Sequence, residues 1–375
     1  MFVVFPLHLE RLGATASRIG VLIALEPAAA VMVRPMLGHL MSRQGRRWML
    51  RIGGVVNLVA VVAYLFVVDL GVAMAALRVL HGIGIGALFT TYFTYAADIA
   101  PVDRRTESLA VFGISGILPT ALAPALGEEI VIRFGFDAMF ATAIVFSIAS
   151  LCVSWWLAEP DDDEIENSPS PTGFWRLVHE RRQFGVWTTA LVFSLAMSSY
   201  VAFLEPYVHS RGLERAGLFF VCYSFAAVTL RTIGRTLPDR VGPRRMLLPA
   251  LASLAFGLYL VARLDTTASL GAAGLFCGMG HGYLFPILSG LSIEGTSRHT
   301  RGAAMSFFTA VFDLGQMVGP PILGSLAEAA GYPAIFFAAM AAVVAALGGW
   351  IRANVVMVRS GAGAGEHRTF PRSVR

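Results

Sequence analysis

Apolar runs of about 20 residues recur along this chain between short polar turns, and they limit its folding more than any other feature. Wound as a helix at 1.5 Å per residue, such a run crosses roughly 30 Å of hydrocarbon. Strands of a membrane barrel would be about ten residues long with alternating polarity, a pattern absent here. Composition points the same way. Hydrophobic residues make up 56% of the 375 positions and charged residues 14%, with a mean hydropathy of +0.67. A water-soluble globule would need far more charge on its surface. The sequence therefore predicts an all-α integral membrane protein.

The polar punctuation repeats. A shift of 197 places Arg34 on Arg231, Ser42 on Asp239, Arg43 on Arg240, Gly45 on Gly242 and Arg47 on Arg244. A shift of 196 places Gly82, Gly84 and Gly86 on Gly278, Gly280 and Gly282, Asp98 on Glu294, and Arg105 on Arg301. Two copies of one six-helix plan follow. Residues 1–158 form the first bundle, 159–183 an acidic, Pro-rich linker, 184–357 the second bundle, and 358–375 a disordered tail. Residues 174–182, which mix apolar and basic side chains, read as a helix lying in the headgroup region. Pro206 is preceded by a full apolar run and its counterpart Pro6 by five residues, so the first of twelve helices is expected to be incomplete.

All 29 basic residues are arginine. The loops after even-numbered helices, with the tail, hold 20 of them, against six on the other side. The arginine-rich side is expected to be cytoplasmic, with both termini there, in a bacterial inner membrane. The sequence pI near 9.4 then reflects topology, and no nucleic-acid partner is expected. Cys152, Cys222 and Cys277 each sit alone in an apolar run, which indicates neither a disulfide framework nor a metal site.

The loop containing Gly38, Arg43, Gly45 and Arg47, and its copy containing Asp239, Arg240, Gly242 and Arg244, resemble the cytoplasmic motif of the major facilitator superfamily. Ser42 stands where that motif has Asp. Arg78 followed by Gly82, and Pro124-Ala125-Leu126-Gly127, resemble two further features of the family, the second associated with antiporters. Gly315, Gly319, Pro320 and Gly324 resemble that antiporter motif more closely, whereas Ala123 and Glu128 replace glycines in the first copy. The resemblance implies two bundles that rock about a central site. It also implies that the first, fourth, seventh and tenth helices line the cavity. Ion pairs at the basic loops would break as the bundles separate, and with Ser42 the first latch would be the weaker.

Ionisable groups at membrane depth are costly and each needs a partner or a water-filled path. Glu26 and Arg78 both lie about seven residues inside their helices, roughly 10 Å deep, and are able to pair. His81, Glu205, His281 and Asp313 complete the candidate substrate and proton pathway. For each, a fixed packing or hydrogen-bonding role is the alternative. Arg34 and Arg231 sit nearer the cytoplasmic ends and are expected to snorkel. Glu128 and Glu129 lie near the outer surface and are expected to be solvated. Gly82 and Gly86, like Gly278 and Gly282, have the spacing that lets helices approach closely.

The expected function is secondary active transport of a small organic solute by alternating access, with proton-coupled efflux first and proton-coupled uptake second. A non-transporting receptor on the same scaffold is a third reading. No phosphate-binding loop and no cluster of catalytic groups occurs, so neither ATP hydrolysis nor an enzyme is expected. The expected partners are the solute and the lipid bilayer, for a monomer with no cofactor beyond the proton gradient.

Overall fold

A computed structural model of the chain describes residues 4–99, 105–159, 183–213, 215–234, 236–294 and 301–359. The interfacial segment 174–182, most of the linker and the tail beyond 359 lie outside the described residues. The first half comprises α1 (Phe5–Arg11), α2 (Ala16–Gln44), α3 (Arg46–Ala63), α4 (Val72–Ile99) and the long α5 (Arg105–Trp156). The second comprises α6 (Phe184–Ser210), α7 (Gly217–Thr232), the short α8 (Leu237–Val241), α9 (Pro243–Ala262), α10 (Thr267–Ser292), α11 (Arg301–Ala330) and α12 (Tyr332–Arg359). No strand occurs among the described residues.

Local chemistry sets the helix ends. The Thr15 hydroxyl accepts from the Arg18 N–H at 3.4 Å and caps the start of α2. Thr266 and Ser269 form a reciprocal capping box at the start of α10. Six described glycines have positive φ, and they fall into three repeat-related pairs: Gly13 and Gly212, Gly45 and Gly242, Gly135 and Gly331. Each lies at a reversal between helices, where a side chain would be strained. Gly135, with φ 83° and ψ 178°, divides α5 into the expected fifth and sixth helices. The expected eighth helix stops at Thr232, and the chain re-enters a helix at Leu237 before Gly242 turns it into α9.

The segments Ala16–Arg34, Val72–Ala96, Leu122–Trp156, Phe184–Ser210, Pro243–Ala262 and Tyr332–Arg352 are long and apolar enough to cross a membrane. Large apolar side chains such as Val72, Phe146, Trp156 and Phe225 face outward, an arrangement that suits a hydrocarbon solvent.

Packing repeats as the sequence does. α4 lies against α2 and α3 in the first half, and α10 lies against α7 and α9 in the second. The halves meet along two interfaces, α2 with α11 and α5 with α7, with a smaller contact of α1 on α6. The first two are copies of one another under the repeat. Shape, not area alone, brings these helices together. A Cβ on Gly20 would overlap the Pro320 carbonyl, and one on Gly217 would sit 2.9 Å from Ala125 Cα. The Pro124–Gly127 and Pro320–Gly324 segments therefore form the seams between the two halves.

Candidate functional site

Polar groups gather at three levels of the apolar interior. In the first half, the glycines of α4 open a groove for α2 and α3. A Cβ on Gly82 would lie 2.9 Å from that of Ala29, one on Gly86 would lie 2.9 Å from Ala30 Cα, and one on Gly84 would lie 2.8 Å from the Asn57 nitrogen. This approach brings Arg78 to within 2.6 Å of the Glu26 carboxylate, the two being 2% and 4% exposed. Arg78 also donates to the Leu22 carbonyl at 3.0 Å, the Ile23 carbonyl at 3.3 Å and the Tyr64 hydroxyl at 3.4 Å. The Phe5 ring lies 4.9 Å from its guanidinium carbon. His81 places Nδ1 3.3 Å from the Tyr64 hydroxyl and 3.6 Å from Glu26 Oε2. Opposite charges, carbonyls and a π face surround Arg78, so its charge is compensated inside one half of the protein.

The second half holds a neutral counterpart. Tyr223 occupies the position that the repeat assigns to Glu26, and its hydroxyl is hydrogen-bonded to His281 Nδ1. The Tyr200 hydroxyl lies 3.3 Å from that of Tyr223. Phe193 meets the His281 ring edge-on and Phe285 stacks beside it. Gly278 and Gly282 admit α7 as Gly82 and Gly86 admit α2; a Cβ on Gly278 would lie 2.7 Å from Tyr223 Cα.

Between the halves, Arg34 on α2 is ion-paired with Asp313 on α11. Both side chains keep partial exposure, 24% and 20%. Snorkelling does not describe Arg34, because the close α2–α11 seam carries Asp313 to it. Arg231, its repeat partner, does stay within its own half and donates to the Gly282 carbonyl at 3.3 Å. Next to Asp313, the Ser194 hydroxyl donates to the Phe312 carbonyl and Gln316 donates to the Ser194 carbonyl at 3.1 Å. Asp313 thus projects from a stretch of α11 held firmly on α6.

At the arginine-rich end, Arg46 pairs with Asp98 at 2.8 Å and Arg244 with Glu294 at 2.9 Å. The two carboxylates are repeat-related and the two arginines differ by one position in register; each pair ties a half to itself and does not join the halves. Glu159, the first residue of the expected linker, accepts from the backbone N–H groups of Arg46 and Arg47 and caps α3. Gly45, with φ 86°, leaves room for that carboxylate; a Cβ there would lie 2.7 Å from it. Arg43 and Arg240 are exposed. The side chains of Ser42 and Asp239, and position 38, lie outside the described set.

At the arginine-poor end, Glu205 is 2% exposed with Oε1 3.7 Å from His209 Nε2. The expectation of a solvated Glu128 does not hold. Glu128 is 4% exposed and accepts the N–H groups of Ala216 and Gly217, each at 2.7 Å, because the α5–α7 seam closes over it. Glu129 is half-buried and within 3.3 Å of Arg215. The fold therefore brings together Glu26, Arg78 and His81 in one cluster, while His281, Asp313 and Glu205 stand in three other places. Tyr223 was findable by carrying Glu26 through the repeat. Glu128 and the Arg34 partnership carried no local signal.

Comparison with known proteins places these features in context. The sequence matches the Major Facilitator Superfamily over residues 1–230 and again over 214–372. It is 24% identical over 343 residues to the staphylopine export protein of Staphylococcus aureus, covering 88% of this chain and 85% of that one. It is 21% identical to multidrug resistance protein MdtG of Yersinia enterocolitica, covering 88% and 83%. It is 23% identical to the multi-drug resistance efflux pump PmrA of Streptococcus pneumoniae, covering 89% and 86%. Among solved structures, the nucleoside transporter NupG superposes with a TM-score of 0.75 at 12% identity, covering 94% of each chain. A bacterial homologue of the human lysosomal transporter Spinster, in an inward-facing and occupied conformation, gives 0.73 at 13% identity, covering 99% and 94%. At such identities the structural likeness speaks for the fold alone.

Proposed function

The chain belongs to the major facilitator superfamily, and we propose that this member exports a small organic solute across the bacterial inner membrane in exchange for protons. It is a multi-pass membrane transporter and not an enzyme. Export is the direction in the names of two of the relatives, the staphylopine export protein and the efflux pump PmrA, which supports efflux over uptake. The observation that carries the coupling is the ion pair of Arg34 with Asp313 across the two halves.

The physics of that pair suits exchange. A carboxylate and a guanidinium set between moving bundles hold them together while both are charged. A proton on Asp313 removes one charge and frees the bundles to move; loss of the proton restores the pair. Partial exposure of both side chains leaves a path for a proton or a solute to reach them. The solute site then lies at the interface, between helices of the two halves, as in transporters built from repeats. In this reading the arginine-rich end faces the cytoplasm, the protein works as a monomer, and the proton gradient is its energy source without a further cofactor.

The test is flux in sealed vesicles under an imposed pH gradient of either sign, with a panel of radiolabelled and fluorescent organic solutes. Export predicts solute accumulation in inside-out vesicles acidified within, and its loss on Asp313→Asn. Accumulation only under the opposite arrangement would establish uptake. Binding without flux under both gradients would establish a receptor.

A further inference from the structure

Two carboxylates at the arginine-poor end reach across from one half to cap a helix of the other. Glu128, on α5, accepts the N–H groups of Ala216 and Gly217 at the start of α7, each at 2.7 Å. Glu328, on α11, accepts the N–H of Ser17 at the start of α2 at 3.0 Å. The repeat exchanges α5 with α11 and α7 with α2, so the two contacts are the same device used in both directions. They lie one helical turn apart in register: the shift of 196 that relates Pro124 to Pro320 carries Glu128 to position 324, whereas its functional counterpart is Glu328.

Both caps depend on the seams. A Cβ on Gly217 would sit 2.6 Å from Glu128 Oε2 and 2.9 Å from Ala125 Cα, so glycine lets α5 approach α7 closely enough for that carboxylate to reach the helix. A Cβ on Gly324 would sit 3.0 Å from Ser17 Cα, so glycine again lets α11 approach α2 close enough for Glu328 to reach. The Ser17 and Ser325 hydroxyls, 3.4 Å apart, add to the second contact. The N–H groups concerned belong to the first turn of a helix, where they lack partners within their own helix and where the helix dipole favours negative charge. If the halves separate at this end, each carboxylate must leave its cap and both helix ends must find water.

We propose that Glu128 and Glu328 are reciprocal latches that hold the arginine-poor end shut, and that transport requires both to release. This rests on the alternating-access reading above. It adds two positions to the transport cycle that lie far from Arg34 and Asp313. The latches are unequal. Glu128 is 4% exposed and makes two hydrogen bonds, whereas Glu328 is exposed and makes one to backbone. Glu128 is the principal latch and Glu328 the weaker one.

The test measures the gap directly and needs no flux. Spin labels are placed on Val68→Cys in the first half and Arg263→Cys in the second, both exposed near this end, with Cys152, Cys222 and Cys277 replaced by alanine. Electron–electron distance distributions are then recorded in lipid nanodiscs. Glu128→Gln raises the open-to-closed ratio roughly tenfold and Glu328→Gln about two- to threefold, the scale of charged against screened hydrogen bonds. The double variant shows roughly the product of the two. Ala216→Pro, which removes a donor and leaves both carboxylates in place, moves the ratio in the same direction. Distributions that stay at the parent's in the double variant and in Ala216→Pro overturn the proposal. If Glu128→Gln does not fold, Glu328→Gln and Ala216→Pro decide it. A shifted distribution in a protein that shows no proton-driven flux would sustain the latches and sink the coupling reading, so the two failures are distinguishable.

Discussion

Arg34 and Asp313, 279 positions apart in the chain, form an ion pair that joins the two halves of the protein. Other described ion pairs in the interior or at the arginine-rich end, such as Arg78 with Glu26 or Arg46 with Asp98, lie inside a single half. The Arg34–Asp313 pair is therefore placed to respond to relative movement of the bundles.

Asp313→Asn abolishes proton-driven accumulation while leaving solute binding within about threefold, since an amide keeps the shape but cannot carry a proton. Arg34→Gln leaves Asp313 charged without its partner and lowers thermal stability in detergent by ~1–3 kcal/mol. The double variant recovers most of that loss. Stability losses that simply add in the double variant would show that the two residues do not interact.

Glu26→Gln and Arg78→Gln each lower stability by ~3–5 kcal/mol, because each strands a buried charge. Replacing both, as Glu26→Gln with Arg78→Met, costs less than the sum of the single changes. Thermal unfolding followed by far-UV circular dichroism reads this out. Full transport activity in a well-folded Glu26→Gln variant would exclude Glu26 from the proton path.

Gly278→Ala forces a Cβ against Tyr223 and lowers stability by ~1–3 kcal/mol through overpacking. Gly348→Ala, where a Cβ meets nothing within 4 Å, raises it by up to about 1 kcal/mol from helix propensity. Measured together, the pair separates close helix packing from a general intolerance of glycine replacement.

Glu159→Ala removes the cap on α3 and costs ~0.5–2 kcal/mol. Hydrogen exchange at Arg46 and Arg47 speeds up before the rest of α3 loosens. Protection unchanged at those two amides would place the Glu159 carboxylate elsewhere in solution.

Much of this architecture was legible along the chain. The number and order of the long helices followed the apolar runs, while their ends were set by local chemistry such as the Thr15 cap at the start of α2. A close-packing face on α4 followed from Gly82 and Gly86, since spacing of four along a helix places both on one side; that α2 is its partner did not. The buried pair of Glu26 with Arg78 followed from equal depth in two helices. The capping role of Glu159 at the start of the linker was not legible, because nothing local distinguishes a capping carboxylate from a solvated one.

The sequence by itself determined the solvent this protein lives in, its all-helical class, its two-fold repeat and the basic loops that turn at Gly45 and Gly242. Each of these rests on chemistry within one helix or one turn. Only the tertiary structure decided which charges meet across the halves. Arg34 with Asp313, Glu128 with Gly217 and Glu328 with Ser17 bring together residues 279, 89 and 311 positions apart. Helical periodicity says which residues share a face, but the partner of that face and its axial register depend on how glycine and proline shape both surfaces at once. Those are properties of pairs of helices and are written in neither one alone.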